Sequence, residues 1–222
     1  MMTARRITKI EAQKKNKNRI SIYLDDEFAF GLSADVLVKF GLASGIELSP
    51  EEIDTIQQAE AVYAAKARAM SLLTYRPRSV NEIRSRLREK KFSETAIENA
   101  VHDLLRAGLL NDEQFAISFA RSRLISRPSG SRLLIQELKG KGIDEQYIEK
   151  ALIEAFSERG EPELAASLAE KQKPRPGDDP VKGARRLSDF LLRRGFSWEI
   201  IKPIVDEYFK EAEQKKTSKG NE

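Results

Sequence analysis

Five positions recur three times along this chain, and that recurrence restricts the fold more than any other feature. Leu87 is followed at fixed offsets by Phe92, Ser93, Ile97 and Val101; Leu138 by Ile143, Asp144, Ile148 and Leu152; Leu191 by Phe196, Ser197, Ile201 and Val205. The copies lie roughly 50 residues apart, the spacing of an array in which one supersecondary unit buries part of its apolar face on its neighbour. A basic turn follows the Leu in each copy, REKK, KGKG and LRRG, and the Ser or Asp beyond it is a helix cap. The chain is therefore expected to be mainly α, a tandem array of three three-helix modules over residues 66–110, 111–158 and 159–210.

The stretch from Ser79 to Arg123 shows the unit best. Ser79 with Glu82 three residues on, and Ser93 before the stripe Ile97, Val101, Leu104 and Leu105, mark two helix starts, and Gly108 marks an end. In the third copy a Pro-rich interruption, Lys173 to Pro180, predicts a loop between its first two helices. Residues 211–222 are polar and are expected to form a disordered tail.

Upstream the period changes. Ile20, Ile22 and Leu24 alternate with polar residues, as do Phe28 and Phe30 around Ala29, which predicts a small β-hairpin or sheet within residues 1–48. Ser33 can cap a short covering helix, Ala34 to Phe40, stopped by Gly41. Ser49-Pro50-Glu51-Glu52 is a capping box with Pro at the first helical position, so a linking helix is expected over residues 49–65, with a break near 61–66 before the first module.

Charged residues make up 33% of the chain and apolar ones 40%, so each helix should carry a narrow apolar stripe and a wide charged face. The net charge of +4 conceals segregation: basic residues dominate as far as Leu24, acidic ones from Asp25 to Ala65, and basic clusters return beyond Lys66. Patches of this kind are the electrostatic footprint of a nucleic-acid binder, although a solvated helix face gives the same composition. The candidates fall on the middle helices, their turns and neighbouring segments: Arg84, Arg86, Arg88, Lys90 and Lys91; Arg121, Arg123, Arg127, Arg132, Lys139 and Lys141; Arg185, Arg186, Arg193 and Arg194. Charge reversal at Arg84, Arg86 and Arg88 is expected to weaken DNA binding without loss of helix.

Chemistry is not expected. Without Cys there is no disulfide or thiolate. No phosphate-binding loop, dinucleotide fingerprint or HExxH occurs, so no catalytic residue, metal site or cofactor is assigned. His102, the only histidine, has no nucleophile in view and reads as structural. No run approaches the roughly 18 apolar residues of a membrane span, which suggests a cytoplasmic protein. Phe92, Phe115, Phe119 and Phe196 read as core; Trp198 lies off the repeated pattern and is the better candidate for an exposed role such as stacking on bases.

RSVNEIRSRLREKKF, GLLNDEQFAISFARSR and SGSRLLIQELKGKGIDEQYIEKAL together resemble the RecX family of regulatory proteins, closely over residues 66–156 and more loosely beyond. The resemblance implies a non-enzymatic, monomeric regulator, an inhibitor, of the RecA recombinase, acting within the groove of the RecA–DNA filament on recombination, ATP hydrolysis and the SOS and DNA-repair response. It implies RecA and single-stranded DNA as partners, with duplex DNA a further one. Asp112, Phe115 and Ala116 are the distinctive positions it carries over. Asp112 can simply cap the helix that holds Phe115 and Ala116, with these two packed between modules, or the three can touch RecA directly. Gly130 and Gly142 also match and would supply turn conformations. The N-terminal sheet resembles an extra region of some longer members. The alternative is a helix-turn-helix transcription regulator of duplex DNA, since a three-helix unit with a basic middle helix also suits that class.

Overall fold

The computed structural model describes residues 4–14, 16–172 and 179–218, in two compact units, Met1–Leu110 and Asn111–Glu222.

The first unit opens with strands β1 (Arg5–Gln13), β2 (Asn16–Leu24) and β3 (Glu27–Ser33), helix α1 (Ala34–Lys39) and strand β4 (Glu47–Leu48), giving an antiparallel sheet in the order β3-β2-β1-β4. Asp25 and Asp26 join β2 to β3 with φ of 50° and 69°, the two left-handed residues of a tight hairpin turn whose twist matches the strands. The Arg5 side chain and the Arg6 backbone N–H both donate to the Asp25 carboxylate, at 2.8 and 3.0 Å, and hold it below the usual carboxylate range. β4 is too short for alternation to reveal it in sequence.

Ser33 caps α1 as expected, and Gly41 follows in the left-handed region. Cover for the sheet comes from two helices, not one. Val36 of α1 and Ile56 of α2 (Pro50–Tyr75) join Ile7, Ile22, Leu24, Leu32, Leu42 and Leu48 in one core. The expected break near residues 61–66 does not occur, and the linking helix and the first helix of the first module are one rod. Ala-rich sequence favours continuation, and both halves are packed: Glu60 is buried, accepting the Ser33 N–H at 2.8 Å and facing Arg19 at 3.3 Å, while Ala65 and Ala69 enter the next core.

That core is closed by α3 (Val80–Glu89) and α4 (Glu94–Arg106), with Ile83, Leu87, Ile97, Val101 and Leu104 at its centre. The capping boxes at Ser49 and Ser79 both form. The second unit repeats the arrangement twice, first with α5 (Asp112–Ser126), α6 (Ser131–Gly140) and α7 (Glu145–Ala155), then with α8 (Glu161–Glu170), α9 (Pro180–Arg193) and α10 (Trp198–Ser218). The anchors Leu87, Leu138 and Leu191 are all fully buried, and truncating any of them would cost about 2–5 kcal/mol. Four residues beyond each anchor the chain turns with positive φ: 62° at Lys91, 73° at Gly142 and 85° at Gly195. Glycine fills this position without cost in two copies, and Lys91 takes it with some strain.

Several expectations need correction. The helix α10 runs to Ser218 with Ala212 buried against the third core, so residues 211–218 are not an unstructured tail. Asn111, not Asp112, caps α5, accepting the Gln114 N–H at 3.0 Å; Asp112 is the first helical residue, where a carboxylate suits the helix dipole. Phe115 and Ala116 are buried inside the second module's own core. Gly142 supplies a turn conformation, but Gly130 has φ of −80°, and its lack of a side chain serves close approach instead. Of the Pro-rich loop, residues 173–178 lie outside the described residues; Asp179 and Pro180 begin α9 as its cap and first residue.

Candidate functional site

The densest basic run lies on α3, and the fold neutralises much of it. Arg84 donates two hydrogen bonds to Glu98 at 2.9 and 2.8 Å, and Arg88 two to Glu94 at 2.8 and 2.9 Å. Both are forked pairs from α3 to α4, and the arginines hold Glu94 and Glu98 below the ordinary carboxylate range chiefly through these hydrogen bonds. Arg86 pairs with Glu89 at 2.9 Å. Lys90 and Lys91, in the turn, are exposed, and among the described residues no carboxylate comes within 4.0 Å of either.

The second module repeats part of this plan. Lys139 faces Glu145 at 3.1 Å, at the repeat positions of Arg88 and Glu94. Arg121 pairs with Glu154 at 2.8 Å and Arg123 with Glu137, the latter half-buried. Lys141 stands over the stacked rings of Phe115 and Phe119, 5.9 and 5.0 Å from their centroids, so its charge is turned to the module's own aromatics. Arg127 and Arg132 are exposed, with no carboxylate within salt-bridge distance among the described residues.

The second and third modules are joined through backbone. The Gly130 N–H donates to the Arg194 carbonyl at 2.8 Å and the Arg132 N–H to the Gly195 carbonyl at 3.1 Å. A Cβ on Gly130 would lie 2.5 Å from the Gly195 oxygen, so only glycine permits this approach. The Arg194 guanidinium donates to the Pro128 carbonyl at 2.9 Å and lies 5.1 Å from the Phe190 ring centroid. Burial, and then the charges of Arg127 and Arg123, push its pKa below the usual arginine value. Arg194 is thus a fastening of this seam. From α8, Glu161 accepts both the backbone N–H and the hydroxyl of Ser131, at 2.8 and 3.1 Å, and satisfies the start of α6, which has no side-chain cap of its own. Ser129 is fully buried in the same loop, its hydroxyl without a hydrogen-bond partner among the described residues.

In the third module the α9–α10 face is built from other residue types. Leu192 and Trp198 occupy the positions of Arg88 and Glu94, and both are exposed, by 43% and 49%. Arg185 and Arg193 are exposed on α9, again with no carboxylate at salt-bridge distance among the described residues; Arg186 is exposed on the same helix. The four phenylalanines expected in the cores are packed there, with Phe196 fully buried, Phe115 buried and Phe92 and Phe119 half-buried. His102 is exposed on α4 beside Asp103, which pairs with Lys66. Among the described residues no group of three His, Asp or Glu side chains could hold a metal ion, and no helix is long and apolar enough to cross a membrane.

A small antiparallel sheet followed by three tandem three-helix units, with basic residues recurring on helix faces, defines the class of protein to which this chain belongs. Four family models match in series: the regulatory protein RecX N-terminal domain over residues 5–49, then the first, second and third RecX three-helix domains over 65–104, 111–152 and 160–205. The chain belongs to the RecX family of regulatory proteins. It is 36% identical over 202 residues to regulatory protein RecX of Bacillus subtilis, covering 90% of this chain and 76% of that one. It is 32% identical over 209 residues to the Staphylococcus saprophyticus protein of the same name, covering 91% and 74%. A crystal structure of regulatory protein RecX superposes with a TM-score of 0.73 at 31% identity, covering 91% of this chain and 99% of the other. RecX from Lactobacillus salivarius gives a TM-score of 0.61 at 28% identity, covering 68% and 97%. The N-terminal sheet thus matches a domain described for this family.

Proposed function

We propose that this protein is a non-enzymatic regulator of RecA that binds the RecA–DNA filament in the cytoplasm, restrains its growth and ATP hydrolysis, and so limits recombination and the SOS response. The observation that carries the reading is the unbroken series of family matches, which spans the sheet and all three modules. The form of the molecule supports it, since modules with basic residues at recurring positions suit contact along a repeating nucleoprotein surface. Among the candidate contacts, the exposed residues with no carboxylate at salt-bridge distance among the described residues, Lys90, Lys91, Arg127, Arg132, Arg185 and Arg193, are the ones whose charge is available to a phosphate backbone. The helix-turn-helix alternative loses support at α3, where the arginines needed for a major groove are engaged with Glu94 and Glu98.

The test adds the purified protein to RecA on single-stranded DNA and follows ATP hydrolysis and strand exchange. Both should fall as the protein approaches stoichiometric amounts. Unchanged rates at that point would overturn the reading.

A further inference from the structure

Seven and eleven residues beyond the repeat anchors, the first two copies carry paired acids on one face of the third helix: Glu94 and Glu98, then Glu145 and Glu149. The third copy carries Trp198 and Lys202. In the first module the two acids bind Arg88 and Arg84 of the middle helix, which shows that this face looks across at α3. In the third module the corresponding positions of α9 are Leu192 and Ser188. A neutralised ionic face has therefore become an aromatic and aliphatic platform with a lysine one helical turn along, the i,i+4 spacing that puts Trp198 and Lys202 side by side.

We infer that this α9–α10 face of the third module is a docking site for single-stranded nucleic acid, an inference that rests on the DNA-binding part of the proposed function. The indole is half exposed at the first position of α10, where packing does not require it: the third core is filled by Leu187, Leu191, Phe196 and Ile201. An exposed indole flanked by cations offers a base a stacking surface and its phosphates a counter-charge. Arg185 lies two turns before Leu192 along the same stripe of α9, and Arg132 stands in the first turn of α6, its backbone N–H bonded to the Gly195 carbonyl. The adjacent acid in the chain, Glu199, is engaged at the start of α10 by the Ser197 hydroxyl and its own backbone N–H, and it feels the charge of Arg132. A duplex hides its base faces and would meet only the cations, so the indole selects for unpaired strands.

Trp198 is the only tryptophan, so the intact protein reports on its own site. Titration with a short oligodeoxythymidylate at low salt should quench its fluorescence saturably, in step with the anisotropy of a labelled copy of the oligonucleotide. Trp198→Ala should weaken binding about ten-fold, with Trp198→Phe in between. Lys202→Glu, which restores the acid of the other copies, should weaken it most at low salt and flatten its salt dependence. Circular dichroism should show unchanged helix in each variant, since both side chains are exposed. Oligonucleotide binding by anisotropy with steady indole fluorescence and unaltered affinity in Trp198→Ala would overturn the site while leaving DNA binding intact. Equal quenching and affinity with a duplex of the same length would overturn the single-strand assignment. Absence of any binding by anisotropy would instead overturn the DNA-binding reading, and this site with it.

Discussion

The α3–α4 face of the first module and the α9–α10 face of the third occupy the same place in the repeat and present opposite surfaces. The first has the richer basic sequence, yet Arg84 and Arg88 are each held by two hydrogen bonds to a glutamate. The third has fewer charges on this face but no acid at the two equivalent positions, and it exposes Leu192 and Trp198. Charge counted along a chain is therefore a poor guide to charge available to a ligand. A guanidinium already in a forked carboxylate pair must give up that partner before a phosphate can gain it.

The largest expected effect concerns what holds the third module in place beside the second. Gly130→Ala forces a Cβ to within 2.5 Å of the Gly195 carbonyl and 2.6 Å of the Phe196 nitrogen. The seam should open at a cost of about 3 kcal/mol, read from urea unfolding. The equivalent residue in the first module is Ser79, which carries a Cβ and a capping hydroxyl; Ser79→Ala should cost only about 1 kcal/mol. Equal costs at the two positions would show that Gly130 matters only as a helix start and that the seam does not depend on it. Next in size, Trp198→Glu with Lys202→Glu converts the third face to the acidic type and should reduce oligonucleotide affinity on the order of 100-fold. A loss no greater than that of one substitution alone would mean the two side chains do not share a ligand.

The converse change is smaller. Arg84→Gln with Arg88→Gln should alter oligonucleotide affinity by no more than about two-fold, because these arginines are committed to Glu98 and Glu94. Glutamine is the better probe than charge reversal here, since a glutamate at either position would face another glutamate. A ten-fold loss would return the binding site to α3 and dissolve the contrast between the two faces.

The outline of the molecule was readable because its determinants are local or periodic. Leu87, Leu138 and Leu191 with their followers fix three helical hairpins, and Ser49, Ser79 and Ser93 announce helix starts through bonds that span three residues. What escaped depends on long separations. Arg84 and Glu98 are fourteen residues apart and Arg123 and Glu137 equally so, beyond the i,i+3 and i,i+4 spacings that betray pairs on one helix. Arg86 with Glu89 was the pair that spacing could have given. The role of Gly130 likewise follows from a contact with Arg194 and Gly195, over sixty residues away and unmarked by any positive φ. Continuity of α2 could not be read from an Ala-rich segment whose two ends serve different cores.

The smallest effect tests the neutralised face directly. Glu94 and Glu98 have folded-state pKa values below the ordinary 4.5, so they bind fewer protons in the folded chain than in the unfolded one near that pH. Their contribution to stability is then present above the ordinary carboxylate range and is lost as the pH falls through the lowered folded values. Glu94→Gln with Glu98→Gln removes the titration without removing hydrogen-bonding capacity. At neutral pH the parent chain should be slightly the more stable, as expected of exposed ion pairs. That margin, measured from urea midpoints, should shrink steadily as the pH falls below the ordinary carboxylate range. The same variant should bind an oligonucleotide a few-fold more tightly at neutral pH, because Arg84 and Arg88 are released. A margin that stays constant with pH would mean that the pairs carry no stability, and the arginines of α3 would then be as available as those of the third module.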